Sequence, residues 1–376
     1  MKIDGHNDPR FARLREAFQS CFADGYEHGA SVAVMAGGKM VAELWGGHAD
    51  AARTKPWCAD TLVNVWSATK GVMALAIAML VERGKLDYAA PLAKVWPEFA
   101  ANGKEAITLD QVMSHRAGLN GIDVPLTEAE FYAWFPYVNA LAAMKPLWEP
   151  GTHCIYHALS YGHLAGEPIR RVDGRMPGRF VAEEIAGPLG APFYIGLPER
   201  EDWRVAEMIA GPKCSDWVDY VAKGPFPHSC RNPTPDALAP NQRAWRAAEI
   251  PGGNGMATAG ALARIYGLLA KGGELDGTRL ISPAGIAAAI RPRYRGIDES
   301  FDTPTAFAAG FAIENLDYAP RASRASFGHT GWGGTIAFAD PDAGIGFAFA
   351  TCNMLGFDDG IDPRRQRLIN AVYDCL

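Results

Sequence analysis

The chain lacks the features that mark membrane, secreted or nucleic-acid-binding proteins. Its longest apolar stretch, residues 71–81, is too short to span a bilayer and is bounded by Lys70 and Glu82. The N-terminal segment MKIDGHNDPRFARLREAF has no apolar core of a secretory signal. The net charge of −6, without a run of like charges, gives no electrostatic reason to bind nucleic acid. These absences predict a cytoplasmic protein that binds neither membrane nor nucleic acid.

Cysteine and histidine patterns that build disulfide frameworks or metal sites are also missing. The seven cysteines are odd in number and contain no CxxC pair, which fits a reducing compartment. His153, His157 and His163 are spaced so that they cannot share one helical face, and no carboxylate pattern accompanies them. The sequence therefore predicts neither a metal nor a cofactor. The GxSxG elbow of α/β-hydrolases is absent too, since residues 29–33 (GASVA) are followed by no helix.

Hydrophobic periodicity predicts strands at both ends of the chain and helices between them. We expect hairpins at Gly37-Gly38 and at residues 340–344, a strand at 308–316, and helices over 9–27, 68–83, 258–270 and 362–374. Residues 85–250 show short helical pieces and few strand-like runs. Together these patterns predict an α/β fold, with an antiparallel sheet flanked by helices and a mostly helical second lobe. The predicted sheet domain comprises residues 1–84 and 251–376, and the helical insertion comprises residues 85–250.

The strongest chemical signal is the segment Ser67-Ala-Thr-Lys70 at the start of the most apolar helix. Positions i and i+3 share one helical face, so the hydroxyl and the amine can meet. Serine needs a base to become a nucleophile, and burial without a carboxylate lowers the pKa of a lysine enough to serve. Chance alone produces one or two such SxxK patterns in a chain of this length.

A second signal is Tyr156, which follows the Pro150-Gly151 turn. Its phenol can relay protons if an ammonium group lies nearby. A packed aromatic side chain is the plain alternative, and Tyr161 is a rival for the same role.

A third signal is the segment Gly328-His-Thr-Gly-Trp-Gly-Gly334 ahead of a predicted strand. Glycines there would let a substrate approach the backbone closely. A backbone N–H from this edge could form an oxyanion hole together with that of Ser67. An ordinary glycine-rich turn between strands is equally compatible with the segment taken alone.

The three motifs, in the order SxxK, Tyr and HTG, resemble those of the serine β-lactamase and penicillin-binding-protein superfamily. The chain looks most similar to the class C β-lactamase-like esterases known as family VIII carboxylesterases, from about residue 29 to the C-terminus. The segments ITLDQVMSHRAGL, GGNGMATAGALARI and FADPDAGIGFAFATCN also match this family.

The resemblance implies a role for each matching residue. Ser67 corresponds to the acylated nucleophile, Lys70 to its helical partner and Tyr156 to the tyrosine of the YxN motif. The backbone N–H groups of Ser67 and Trp332 correspond to the oxyanion hole. The substrate-binding residues expected beside them are His157, His329, Thr330, Gly331 and Trp332.

The implied activity is hydrolysis of small, short-chain esters without a cofactor. Whether Lys70 or Tyr156 is the base stays open, because the two would titrate as a coupled pair. Ala158 replaces the YxN asparagine and His329 replaces the KTG lysine, which disfavours β-lactam turnover. A β-lactamase or D-Ala-D-Ala-type peptidase is the alternative enzyme, and a non-catalytic ligand-binding module is the alternative of another class.

Overall fold

The structure is a computed structural model that describes residues 2–314, 319–357 and 360–376. The strands are β1 Ile3–Asn7, β2 Gly29–Ala36, β3 Lys39–Gly47, β4 Val63–Asn64, β5 Phe193–Tyr194, β6 Ile209–Ala210, β7 Met256–Ala257, β8 Glu274–Leu275, β9 Thr278–Arg279, β10 Tyr294–Asp298, β11 Thr303–Phe307, β12 Ala312–Ile313, β13 Phe327–Thr330, β14 Ile336–Asp340, β15 Ile345–Thr351 and β16 Asn353–Met354. The α-helices are α1 Ala12–Ala23, α2 Thr69–Glu82, α3 Leu109–Met113, α4 Glu128–Tyr132, α5 Phe135–Ala143, α6 Ser160–Asp173, α7 Pro177–Val181, α8 Gly187–Leu189, α9 Asp216–Lys223, α10 Arg243–Ala247, α11 Ala259–Ala270, α12 Pro283–Ile290 and α13 Pro363–Tyr373.

The two ends of the chain meet in one antiparallel sheet. Its nine strands follow the order β1-β3-β2-β15-β14-β13-β12-β11-β10, so that N-terminal β2 pairs directly with C-terminal β15. The predicted hairpins are present in it: Gly37 and Gly38 have φ of 57° and 83°, which suit a two-residue turn between β2 and β3. This antiparallel sheet, flanked by helices, is the architecture that the sequence predicted.

Both faces of the sheet are buried, which explains the nearly continuous apolar strands. Along β2, Ala33 and Met35 pack on the side of α11, whereas Val32 and Val34 pack on the side of α1 and α13. Helix α11 approaches the sheet closely because glycines face each other there. A Cβ at Gly346 would lie 2.2 Å from the backbone nitrogen of Gly267.

Helix α2 lies in the interior, since Thr69 to Leu80 are all buried. It packs against α6 and α12 and ends where the sequence predicted, with Gly84 at φ 68° just beyond its last turn. A short 3-10 turn, Trp66–Ala68, leads into its first residue. This burial places the SxxK segment at the boundary between the sheet and the helices.

Several edge elements differ from the sequence expectations. The chain pairs as strand β1 over residues 3–7, and the first helix ends at Ala23 rather than at residue 27. The strand expected at 308–316 is reduced to Ala312–Ile313, and residues 315–316 lie outside the described residues. Strands β10 and β11 were not predicted, because they are largely exposed and polar. Pairing to a neighbouring strand, rather than a hydrophobic pattern, holds such edge strands in place.

Short strands connect the segment 85–250 to the rest of the chain. Strand β7 pairs with β4 on one side and with β5 on the other, and β6 pairs with β16. The domain boundaries at residues 84 and 250 stay a prediction. Across the three described ranges, no helix combines the length and apolarity needed to cross a membrane.

A fully buried ion cluster ties the C-terminal helix to the sheet. Arg364, in the first turn of α13, pairs with Glu27 at 2.7 Å and with Asp362 at 2.8 Å. Its guanidinium also donates to the backbone oxygens of Gly333 and Asn353, both at 2.8 Å. The arginine thus holds the glycine-rich loop that follows β13.

Replacing the buried arginine tests this arrangement. Arg364→Met leaves the buried Glu27 without a cation and Asp362 with only Arg365 at 3.8 Å, which costs about 3–5 kcal/mol of the free energy of unfolding. The matched control is Arg367→Met, which removes a partly exposed ion pair with Asp24 and costs below about 1 kcal/mol. Urea unfolding followed by tryptophan fluorescence measures both. Equal losses in the two variants would contradict the structural role of Arg364.

Candidate active site

Ser67 lies in the short helical turn ahead of α2 and is partly exposed, although its neighbours in sequence are buried. The preceding residue, Trp66, has φ of 48°, a left-handed conformation that is costly for a side chain of this size. Contacts of the Trp66 ring with Trp245 and Trp332, at centroid distances of 5.5 and 4.6 Å, hold it there. The strained turn presents the Ser67 hydroxyl to a cleft.

Lys70 is fully buried one turn beyond Ser67, as the sequence pattern predicted. Its Nζ lies 2.9 Å from Ser67 Oγ, 2.7 Å from the carbonyl oxygen of Ala158 and 2.6 Å from that of Gly252. Burial holds the pKa of Lys70 well below its usual 10.5. Burial, with no carboxylate among its described contacts, therefore favours the uncharged form of the amine.

The three contacts of Lys70 determine what its neutral amine can do. A neutral amine has two N–H donors and one lone pair. The carbonyls of Ala158 and Gly252 can only accept hydrogen bonds, so both N–H groups point to them. The lone pair is then left for the proton of Ser67, which is the arrangement that a general base requires.

Tyr156 lies on the other side of the amine, with its ring centroid 4.9 Å from Lys70 Nζ. Its backbone N–H donates to Ser300 Oγ at 2.8 Å and to Asp298 Oδ1 at 3.3 Å, which attaches this irregular segment to the β10–β11 hairpin. The ring also contacts the buried His115, at a centroid distance of 4.7 Å. Tyr156 lines the same cleft as Ser67.

The rival Tyr161 has a different environment. Its side chain is fully buried in α6, and it is not among the residues that line the cleft. Burial raises the pKa of its phenol well above the usual value. Its ring centroid is 5.7 Å from Lys70 Nζ, farther than that of Tyr156. The geometry thus favours Tyr156 as the tyrosine that a substrate would meet.

The HTG segment reaches the same cleft from β13. Gly331 passes so close to the chain ahead of Ser67 that a Cβ there would lie 2.3 Å from the Val65 carbonyl oxygen. Thr330, Gly331 and Trp332 line the cleft beside Ser67. The backbone at Trp332 and the start of the α2 turn therefore face one volume, as an oxyanion hole would require.

His329 is buried, and its two ring nitrogens are not equivalent. Nδ1 lies 2.7 Å from the carbonyl oxygen of Thr330, so this nitrogen carries the proton and donates it. Burial, assisted by the nearby Lys70, lowers the pKa of His329 to about 3. At neutral pH the residue therefore brings no positive charge to the cleft.

The cleft has a volume of about 770 Å³ and largely apolar walls. Aromatic rings dominate these walls: Trp66, Tyr156, Trp217, Phe301, Phe307 and Trp332. The indole N–H of Trp332 donates to the Cys214 carbonyl oxygen, which fixes the ring against Trp217 at a centroid distance of 5.2 Å. Such walls suit a small, mostly apolar molecule.

One predicted substrate contact needs correction. His157 is fully buried, and its ring is engaged by the Ile155 carbonyl at 2.6 Å and by the Leu119 N–H at 3.4 Å. It does not line the cleft, because the chain turns there and directs the residue after Tyr156 into the core. The histidine is a packing residue.

The sequence predicted no metal site at His153, His157 and His163, and the structure gives the surroundings of the other two histidines. His153 pairs with Glu299 at 2.9 Å, whereas His163 packs among aromatic rings, 4.6 Å from that of Tyr137. In the part of the chain that the structure describes, no group of three or more His, Cys, Asp or Glu side chains could hold a metal ion.

Sequence reasoning missed several groups that meet at the site. The Gly252 carbonyl, which accepts from Lys70, lies in a glycine-rich turn that was noted only as a resemblance. Asp298 and Trp217 line the cleft from distant parts of the chain. No local pattern marks these two residues, so only the folded structure reveals them.

Comparison with known proteins agrees with the motifs. A family model described as Beta-lactamase matches residues 14–371. The Esterase/beta-lactamase LipL of Mycobacterium tuberculosis is 36% identical over 368 residues, which cover 94% of this chain and 84% of LipL. The crystal structure of a family VIII carboxylesterase has a TM-score of 0.93 at 41% identity, with 100% of both chains covered. A penicillin-binding protein homolog from Caulobacter crescentus has a TM-score of 0.91 at 42% identity, also with 100% of both chains covered. The resemblance and the fold class inferred from the sequence are confirmed.

Two tyrosine variants separate the rival assignments. Tyr156→Phe removes the phenol that faces the cleft and should lower kcat for nitrophenyl butyrate by about 10²–10⁴-fold. Tyr161→Phe is the matched control, because its ring is also near the amine but lies outside the cleft, and it should stay close to wild type. Steady-state rates on correctly folded variants decide the matter. An inactive Tyr161→Phe beside an active Tyr156→Phe would reverse the assignment.

Proposed function

The chain belongs to the beta-lactamase family of serine hydrolases, and on that premise we propose that it is a carboxylesterase which hydrolyses short-chain esters through an acyl-Ser67 intermediate. One observation carries the proposal. Among the described residues, no carboxylate pairs with the buried amine of Lys70, which lies 2.9 Å from a serine hydroxyl that opens into an apolar cleft.

In the acylation step, Ser67 Oγ attacks the ester carbonyl and loses its proton. The proton passes to Lys70 directly or through Tyr156, whose ring centroid lies 4.9 Å from the amine. The negative charge that develops on the carbonyl oxygen is held by the backbone N–H groups of Ser67 and Trp332. When the tetrahedral intermediate collapses, the C–O bond to the alcohol breaks, and the leaving alkoxide takes a proton through Tyr156.

In the deacylation step, water attacks the acyl-Ser67 carbonyl by the reverse proton route. The water gives a proton to the Lys70/Tyr156 pair, and the same oxyanion hole holds the second tetrahedral intermediate. Collapse returns a proton to Ser67 Oγ and releases the carboxylic acid. Water is the co-reactant of the second step, and neither step uses a cofactor.

Esters are favoured over β-lactams because the cleft offers little to a lactam carboxylate. A lysine at position 329 would meet that carboxylate with a charge, whereas His329 is neutral and its N–H is already donated to Thr330. A lost charge-assisted hydrogen bond is worth about 1.5–3 kcal/mol. The ring of Trp332 further narrows the cleft beside Ser67. We expect short acyl chains to be preferred in this cleft of about 770 Å³.

The nucleophile is tested by Ser67→Ala, which should lower ester hydrolysis by about 10⁶-fold, as loss of a nucleophile does elsewhere. A fluorophosphonate should add once to the wild-type protein, on Ser67, as measured by intact-protein and peptide mass spectrometry. The matched control is Ser31→Ala, which alters the buried serine of β2 and should keep both activity and labelling. Labelling of another residue, or full activity of Ser67→Ala, would refute the mechanism.

The substrate class is tested by comparing kcat/KM for nitrophenyl butyrate with that for a chromogenic cephalosporin on one preparation. The ester value should be much higher, and it should fall as the acyl chain lengthens. His329→Lys should move the ratio toward the cephalosporin, because the variant restores a charge that can meet the carboxylate. A cephalosporin value equal to or above the ester value would instead identify a β-lactamase.

A further inference from the structure

The imidazole of His329 presents an unused hydrogen-bond acceptor. Because Nδ1 donates its proton to the Thr330 carbonyl oxygen at 2.7 Å, Nε2 carries a bare lone pair. Nε2 is buried, and no described group hydrogen-bonds to it. The side chain as a whole is only 5% exposed. Buried polar atoms normally have partners, since an unpaired one costs about 1–3 kcal/mol.

The unpaired nitrogen belongs to a residue of the cleft. His329 lines the cleft together with Ser67 and Tyr156, and its ring centroid is 6.1 Å from that of Tyr156. A molecule whose carbonyl meets Ser67 would therefore lie beside this imidazole. The missing partner of Nε2 is then a donor that the substrate brings.

Among its described lining residues, the cleft has one carboxylate and one guanidinium, contributed by Asp298 and Arg365. Asp298 is a buried carboxylate whose Oδ1 accepts from the N–H groups of Tyr156 and Ser300, at 3.3 and 2.9 Å. The guanidinium of Arg365 is turned to the backbone, where it donates to the Gly334 and Gly331 carbonyls at 2.7 and 3.2 Å. The cleft thus carries a carboxylate, whereas the guanidinium at its edge is engaged by the protein. Neither the Nε2 lone pair nor the Asp298 carboxylate can donate a hydrogen bond to an anionic group of a substrate.

We infer that Nε2 of His329 accepts a hydrogen bond from the substrate, and that the preferred esters carry a hydroxyl or N–H group close to the reacting carbonyl. The inference deepens the proposed esterase function and rests on it. His329 is then a specificity-determining residue, because it separates esters that have a donor from esters of the same shape that lack one. Sites built around an unpaired polar group discriminate in this way.

Pairs of matched esters test the inference, because the ratio of their kcat/KM values does not depend on the absolute activity of the preparation. Ethyl 3-hydroxybutyrate and ethyl 3-fluorobutyrate have similar size and electron withdrawal, but only the first has a donor. Ethyl 2-hydroxybutyrate and ethyl 2-fluorobutyrate form a second pair, in which the donor lies closer to the reacting carbonyl. Acid release in a pH-stat gives kcat/KM for each ester. In the wild type, at least one hydroxyl ester should exceed its fluoro partner by about tenfold, the effect of one good hydrogen bond. Monoethyl succinate, which carries a carboxylate, should be the poorest substrate of the set.

Variants assign the preference to the imidazole. His329→Leu removes the acceptor and should bring the hydroxyl-to-fluoro ratio close to one, whereas His329→Gln, whose amide oxygen can accept, should restore part of it. The matched control is His157→Gln, a buried histidine outside the cleft, which should keep the wild-type ratio. Because each ratio is taken within one variant, a general loss of activity does not affect it.

The outcomes separate this inference from the esterase proposal. Hydrolysis of ethyl butyrate with a wild-type ratio near one for both pairs overturns the inference and leaves the esterase function standing. A high ratio that survives in His329→Leu overturns the role of this residue. Failure to hydrolyse any ester, including nitrophenyl butyrate, overturns the proposed function itself.

Discussion

The burial of one lysine amine without a carboxylate partner is the constraint on which the site depends. An amine in such a place resists protonation, so it can take the proton of the serine one turn away. Its remaining N–H groups need acceptors, and the Ala158 and Gly252 carbonyls supply them from parts of the chain 88 and 182 residues away. The environment proposed to activate Lys70 is therefore formed only when three distant segments of the chain pack together. The proposed catalytic function and the packing of α2 therefore depend on the same contacts.

Two of the buried cations, Arg364 and Lys70, lie in opposite environments. Arg364 is neutralised by Glu27 and Asp362 and fixes the loop after β13, so its charge serves structure. Lys70 has only neutral partners, so its charge is suppressed and its lone pair serves chemistry. The first arrangement supports the second, because the loop that Arg364 holds carries the backbone beside Ser67. An activated serine requires both a fixed backbone around it and a nearby amine whose protonated form is disfavoured.

Elements with a strong periodic signal were predicted well from the sequence. Helices α2, α11 and α13 and the hairpins of the central strands lie within one or two residues of their predicted positions, because burial enforces their apolar pattern. Strands β1, β10 and β11 were missed, since they lie at or next to the edges of the sheet and contain few buried residues. Backbone hydrogen bonds to an adjacent strand define such strands, and this pairing cannot be recognised from the local amino-acid composition.

The sequence by itself determined the contact of Ser67 with Lys70, because three residues along a helix always share a face. It could not determine which neighbour of that pair faces the cleft. Tyr156 lines the cleft whereas His157 is turned into the core, and this depends on the β10–β11 hairpin that holds the segment. The acceptor state of His329 was likewise decided by the Thr330 carbonyl and by burial. Local geometry fixes neighbours on one helix, whereas solvent exposure and hydrogen-bond partners follow from long-range packing.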